Sequence, residues 1–272
     1  MSEVEETREA LEIDRPAPGV FRITLTRGAA FNTLTYECLA SLDAALDVAR
    51  NEAARVVILT GSDGAFCGGA HVKYFTPPDG PINSPHAIVH DYVRTILDLF
   101  GKLQTMPCAT IAAIDGIALG GGFELALACD FRVVAEDSIL GLPEVRLGAI
   151  PAGGGLQLLA KIVGRAKALE IILLGDRMTG REAVSLGLAT AAAPRARLAD
   201  DALALARRLL AASPIAVAAA KKAIFACETA GPQEADRIAL EQLFEVASGP
   251  EWVEGMSAFV ARRRPGFHLD RE

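Results

Sequence analysis

A chain of 272 residues can bury a full hydrophobic core, and the expectation is an α/β domain carrying a helical appendage. Hydrophobic residues make up 51% of it, yet no apolar run approaches the roughly 18 residues of a membrane-spanning helix, so no membrane partner is expected. A formal net charge of -7 repels phosphate polymers, and only "RRRP" at 262–265 is strongly basic, enough for one anionic group but not for a nucleic-acid partner.

The opening "MSEVEETREALEID" is acidic and has neither the apolar core of a signal peptide nor the Arg-rich character of a transit peptide, so a cytoplasmic location is expected. Five cysteines, Cys38, Cys67, Cys108, Cys129 and Cys227, are odd in number, widely spaced and mostly set among apolar neighbours. They fit reduced core residues better than disulfides or a thiolate metal site.

"GVFRITLTR" at 19–27 alternates apolar and polar side chains and predicts a strand. Residues 35–51 have helical spacing, and "RVVILTG" at 55–61 predicts a buried strand. The glycine-rich "AFCGGAHVKYF" follows at 65–75, then "TPPDGPINSP" at 76–85, expected as a mobile surface loop before a long helix ending near Pro107. His86 and His90 have i, i+4 spacing but no third ligand nearby in sequence, and no metal site is expected from them.

"CATIAAIDG" at 108–116 predicts another buried strand, 120–130 a buried helix and "FRVVAE" at 131–136 a third strand. This alternation favours a sheet with crossover connections. Helices are expected at 156–175, 179–186, 198–212, 214–230, 234–248 and 251–263, with no coiled-coil heptad or solenoid repeat.

One acid stands out within this pattern. Glu124 sits in "GGGFELALACD", where an unpartnered carboxylate would cost several kcal/mol or more. The glycines before it do not complete a dinucleotide fingerprint, since Leu125 stands where the third glycine belongs. No P-loop ending and no G-x-S-x-G elbow occurs. A strand–turn–helix with accessible first amides remains, which suits an anion and equally suits tight helix-to-strand packing.

Glu144 in "GLPEVRLGAIPAGGG" lies one strand and a turn beyond that helix. Spacing alone leaves open whether it faces the same cavity or is simply solvated. Two glycine-rich loops after strands can also aim two backbone N–H groups at one oxygen, the arrangement of an oxyanion hole.

Four segments, "FNTL" at 31–34, "VVILTGSDGAFCGGAHVK" at 56–73, "IAAIDGIALGGGFELALACD" at 111–130 and "LGLPEVRLGAIPAGGG" at 140–155, together resemble the enoyl-CoA hydratase/isomerase (crotonase) superfamily. The resemblance runs from about Gly19 to the "FVARRRPGF" tail. It implies an α/β fold, a ββα spiral of repeated units over 1–195 with a helical C-terminal trimerisation region over 196–272. It also implies assembly as a homotrimer or a hexamer of two trimers.

By the same resemblance the substrate is an acyl thioester of coenzyme A, with coenzyme A as part of the substrate and no separate cofactor. The backbone amides of Ala70 and Gly121 would form the oxyanion hole, and Glu124 and Glu144 would match the two catalytic acids of the hydratases. The backbone around Cys67, Gly68, His71, Val72 and Lys73 would cradle the nucleotide end of coenzyme A, with Pro143 and Phe267 as further contacts, Phe267 in a neighbouring subunit; by charge alone, Lys73, Arg27 and the tail arginines are candidates for its phosphates. Relatives usually carry aspartate where His71 stands, so hydrogen bonding and acyl-pocket polarity there do not carry over, whereas the backbone donor does. The reaction implied is hydration of trans-2-enoyl-CoA to 3-hydroxyacyl-CoA. The alternatives are a 3-enoyl to 2-enoyl isomerase relying on Glu144 and a non-catalytic acyl-CoA binder.

Overall fold

The structure is a computed structural model describing residues 9–76, 80, 82 and 84–267. Pro77, Pro78, Asp79, Pro81 and Asn83 of the loop expected at 76–85 lie outside the described residues.

Among the described residues ten strands form two sheets. The larger, in the order β1-β2-β3-β5-β7-β10, contains β1 (Leu11–Ala17), β2 (Val20–Leu25), β3 (Val56–Gly61), β5 (Ala109–Ile114), β7 (Phe131–Ala135) and β10 (Ala191–Ala193). The smaller, in the order β4-β6-β8-β9, contains β4 (Ala65–Cys67), β6 (Ile117–Leu119), β8 (Ile139–Gly141) and β9 (Arg177–Thr179). Among the described strands β1/β2 and β8/β9 pair antiparallel and the rest parallel.

The chain repeats one move. It runs a strand in the large sheet, crosses to a strand in the small sheet, then returns through helix. Thus β3–β4, β5–β6 and β7–β8 lead into α2 (Arg94–Gln104), α3 (Gly121–Leu127) and α4 (Gly155–Leu174). This is the ββα spiral expected from the sequence.

The apolar runs fold this way because parallel strands are covered on both faces. In β3 alternate side chains part company. Val56 and Ile58 join Ile111, Val133 and Ala135 under Leu198, Ala202 and Ala206 of α6 (Leu198–Leu210). Val57 and Leu59 face the main core with Ala112, Ile114 and Val134. That core also takes Leu39, Leu42 and Leu46 from α1 (Tyr36–Asn51), capped at Thr35, whose side chain accepts from Cys38 N.

Several elements depart from expectation. β1 carries alternating charges and Pro16, which suit a sheet edge and hide it from a hydrophobicity reading; Asp14 pairs with Arg22 across the ladder. The strands β4, β6, β8, β9 and β10 are three residues each, too short for a period to register. The long helix before Pro107 is a π-helix at Ala87–Val93 followed by α2, and α4 is interrupted at Gly164 (φ 75°).

After the short α5 (Gly180–Ser185) and α6 come α7 (Pro214–Cys227), α8 (Pro232–Ala247) and α9 (Pro250–Val260), each opening on the proline that suits a first helical turn. The largely buried pair Lys221–Asp130, 2.7 Å, fastens α7 to the sheet, with Asp130 also accepting from Thr110 N at 2.8 Å. Buried Arg132 donates to Ala126 O and Cys129 O at 3.2 and 2.7 Å. It thereby places a positive charge at the C-terminal end of α3 and holds that helix in register.

Candidate active site

The spiral brings three loops to one place. Phe31 and Asn32 adopt left-handed backbone (φ 63° and 48°), and the Asn32 amide donates to Ala65 O at 2.7 Å, locking "FNTL" onto the segment that enters the glycine-rich loop. Gly68 N donates to Phe31 O at 2.7 Å and Leu34 N to Gly69 O at 2.9 Å. Gly69 has φ +95°, and a Cβ there would stand 2.6 Å from Leu119 O and 3.0 Å from Gly121 N, so only glycine lets this loop lie against the β6–α3 turn.

That approach sets Ala70 N beside Gly121: it lies 3.5 Å from where a Cβ on Gly121 would be. Among the described residues neither the Ala70 nor the Gly121 amide N–H has an acceptor. Gly121 is buried and Ala70 partly so; unpaired donors away from water are rare, and two side by side can cradle an anionic oxygen.

Glu124 lies one helical turn beyond Gly120 and is only 4% exposed. Its Oε1 accepts from Gly155 N at 2.8 Å. Burial pushes its carboxyl up to about 7; the Gly155 and Gly153 amides oppose the rise and the Glu144 charge adds to it. Glu144 opens a 3₁₀ turn, Glu144–Leu147, behind Pro143. Burial raises its carboxyl as well, and its Oε2 is buried with no partner among the described residues.

Glycines make room for both acids. A Cβ on Gly120 would stand 2.9 Å from Glu144 Oε1, one on Gly153 2.7 Å from Glu124 Oε2 and one on Gly155 2.9 Å from Glu124 Oε1. Gly120, Gly153 and Gly155 thus leave the space that the two carboxylates occupy; the glycines before Glu124 were expected to permit a close approach, whereas Gly153 and Gly155 were not singled out, although the run "PAGGG" carried the same signal.

The remaining expected contacts divide. Cys67 is buried beneath the loop, and His71, Val72 and Lys73 start the 3₁₀ turn Val72–Phe75, with Val72 exposed. His71 Nδ1 is hydrogen-bonded to Thr33 Oγ1 at 2.9 Å, which ties its side chain to "FNTL". Burial, aided by the Lys73 charge, lowers the His71 imidazole, which favours its neutral form.

Arg27 is held by Glu37 at 2.6 Å, and the bidentate contact raises its guanidinium and lowers the Glu37 carboxyl. Phe267 packs against Gly255 and lines a cleft of about 740 Å³ with Pro18, Arg50, Arg55 and Glu251. That set shares no residue with the carboxylate site, so a single chain does not bring Phe267 to the acids. The His86 and His90 rings meet tilted at 45°, with centroids 4.6 Å apart.

The chain matches the family model described as enoyl-CoA hydratase/isomerase over residues 16–270. It is 36% identical over 262 residues to the human enoyl-CoA hydratase domain-containing protein 2, mitochondrial, covering 93% of this chain and 86% of that one. A crystal structure of an enoyl-CoA hydratase from Bacillus anthracis superposes with a TM-score of 0.87 at 35% identity, over 94% of this chain and 98% of the other. One from Mycobacterium smegmatis gives 0.89 at 28% identity, over 96% and 100%. With its ββα spiral, and with two acids and two open amides gathered at one turn, the chain belongs to the enoyl-CoA hydratase/isomerase family of the crotonase superfamily.

Proposed function

We propose that the protein hydrates trans-2-enoyl-CoA thioesters to 3-hydroxyacyl-CoA. The observation that carries this reading is that buried Glu124 and half-buried Glu144, close enough for the charge of one to act on the other, lie at the same β6–α3 turn as the unpaired amides of Ala70 and Gly121. Hydration of a double bond conjugated to a thioester moves negative charge onto the thioester oxygen. Two fixed amides aimed at that oxygen stabilise the enolate-like state without reorganising, and losing one such donor typically costs about 100- to 1000-fold in rate.

Water supplies both added groups, its hydroxyl to the β-carbon and a proton, in net terms, to the α-carbon. Glu144 is the principal acid–base group and Glu124 orients and activates the water, the two titrating as a coupled pair. A carboxyl pushed to about 7 suits proton exchange near neutral pH, because catalysis is most effective when the group's pKa lies near the working pH.

Coenzyme A is carried in as part of the substrate, with Cys67, Gly68, His71, Val72 and Lys73 along its path and Arg27 and Pro143 flanking it. The apolar side chains left on the surface of α8 and α9, Leu243, Phe244, Val253, Met256, Phe259 and Val260, support self-association as a trimer or a hexamer. Such an assembly is the setting in which Phe267 would reach a neighbouring site.

Loss of enoyl-thioester absorbance with purified protein over short, medium and long trans-2-enoyl-CoA substrates tests the reading. No hydration of any chain length would sink it. The isomerase alternative needs only Glu144, and it is preferred if Glu124→Gln keeps full 3-enoyl to 2-enoyl isomerisation while no hydration is found.

A further inference from the structure

The amide of Ala70 belongs to the peptide plane shared with the Gly69 carbonyl, and the direction of the N–H follows from how that plane is held. Leu34 N donates to Gly69 O at 2.9 Å and so fixes the plane from one side. Leu34 and Ala70 form an isolated parallel bridge. In a regular parallel pair the next rung would run from His71 N directly to Leu34 O.

Here that rung is too loose for a good hydrogen bond, and a side chain bridges it. His71 N donates to the Tyr92 hydroxyl at 3.1 Å, and the same hydroxyl donates to Leu34 O at 2.5 Å. The phenol is 1% exposed, and its ring is wedged edge-on against Tyr36, Tyr74 and Phe75 at centroid distances of 5.5, 5.9 and 5.3 Å, so it has no freedom to turn away. It lies on the π-helix Ala87–Val93, a wide turn of a kind that recurs at functional sites.

We propose that Tyr92 is a positioning residue for the oxyanion hole, its hydroxyl holding the peptide after Ala70 while Leu34 N–H holds the peptide before it. The Ala70 N–H is then constrained from both sides and directed to the same point as Gly121. Burial raises the phenol well above its ordinary range, which keeps the proton that must be donated to Leu34 O. The inference rests on the acyl-thioester reading of the site.

The test compares wild type with Tyr92→Phe, which keeps the ring and removes the hydroxyl. Tyr74→Phe is the control, because the Tyr74 hydroxyl faces Tyr36 N at 3.4 Å rather than the Ala70 loop. Infrared difference spectra of bound butyryl-CoA carrying a ¹³C thioester carbonyl report how strongly the oxygen is polarised. Wild type is expected to lower the carbonyl frequency relative to free ligand, and Tyr92→Phe to lose at least half of that displacement.

With crotonyl-CoA, kcat is expected to fall about 10- to 100-fold, less than loss of a whole donor, with KM within about threefold. Tyr74→Phe keeps the wild-type frequency and kcat. Independently of any variant, the wild-type His71 amide is expected to be protected from hydrogen exchange, and exchange at the rate of an unbonded amide overturns the clamp. A wild-type displacement retained in Tyr92→Phe, or a fall in thermal stability with kcat and frequency unchanged, overturns the clamp alone. A carbonyl that does not move even in wild type overturns the thioester reading and the clamp's catalytic role with it.

Discussion

Gly155 donates its backbone N–H to Glu124 Oε1 at 2.8 Å, so the first residue of α4 holds the acid carried by α3. The bond favours the ionised carboxylate, and the missing side chain leaves the oxygen its place. Gly153→Ala would put a methyl 2.7 Å from Glu124 Oε2 and push the carboxylate off its position. Since a displacement near 1 Å can cost on the order of 100-fold, kcat for hydration is expected to fall about 10- to 100-fold, with far-UV circular dichroism unchanged. Steady-state rates on crotonyl-CoA check it.

The raised Glu124 carboxyl makes stability depend on pH in a defined direction. The folded protein keeps this proton up to about 7 while the unfolded chain releases it near the ordinary 4.5. The folded state therefore binds more protons between those values, and this group's contribution to stability falls as pH rises from about 4.5 to 7, then stays flat. Glu124→Gln is expected to reduce that slope, leaving the part due to Glu144, and to be more stable than wild type at pH 8 by about 3 kcal/mol. Urea unfolding at pH 5 and pH 8 measures it, and a wild-type slope retained in the variant would count against the burial argument.

Four of the five cysteines, Cys38, Cys67, Cys108 and Cys129, are buried, and burial raises all four thiols, Cys38 and Cys129 to about 12 and Cys108 to about 11. The thiolate is the reactive form, so only half-buried Cys227 is expected to react quickly in the native protein. A chromogenic thiol titration should count one fast thiol when folded and five in denaturant.

The Lys221–Asp130 pair ties α7 to the sheet with side chains only 10% and 17% exposed. Removing one partner leaves the other charge buried without its counterion, which typically costs about 3 kcal/mol or more. Lys221→Ala is expected to lower unfolding stability by about that amount while leaving the hydration rate of the remaining folded protein near wild type. Chemical denaturation paired with a rate assay separates the two effects.

What could be read from the sequence follows from range. The strands β3, β5 and β7 announce themselves as apolar runs because both faces of a parallel sheet are covered. Strand β1 does not, because an edge strand tolerates Arg15 and Pro16, and three-residue strands such as β6 lack the length for a pattern. Glu124 was conspicuous as an acid among Leu, Ala and Phe. The purpose of Gly155 was hidden, because what it accommodates is a carboxylate 31 residues away. Tyr92 was hidden for the same reason: its hydroxyl meets partners 21 and 58 residues distant, and nothing in "VHDYVR" sets it apart from a core aromatic.

The most direct measurement of the central claim is hydration of crotonyl-CoA, followed as loss of enoyl-thioester absorbance, by wild type, Glu124→Gln and Glu144→Gln side by side. Each positioned acid–base group is worth roughly 100- to 10,000-fold, so both variants are expected to lose at least about 100-fold in kcat while remaining folded. Hydration undiminished in either variant, or absent from wild type across all chain lengths, would contradict it.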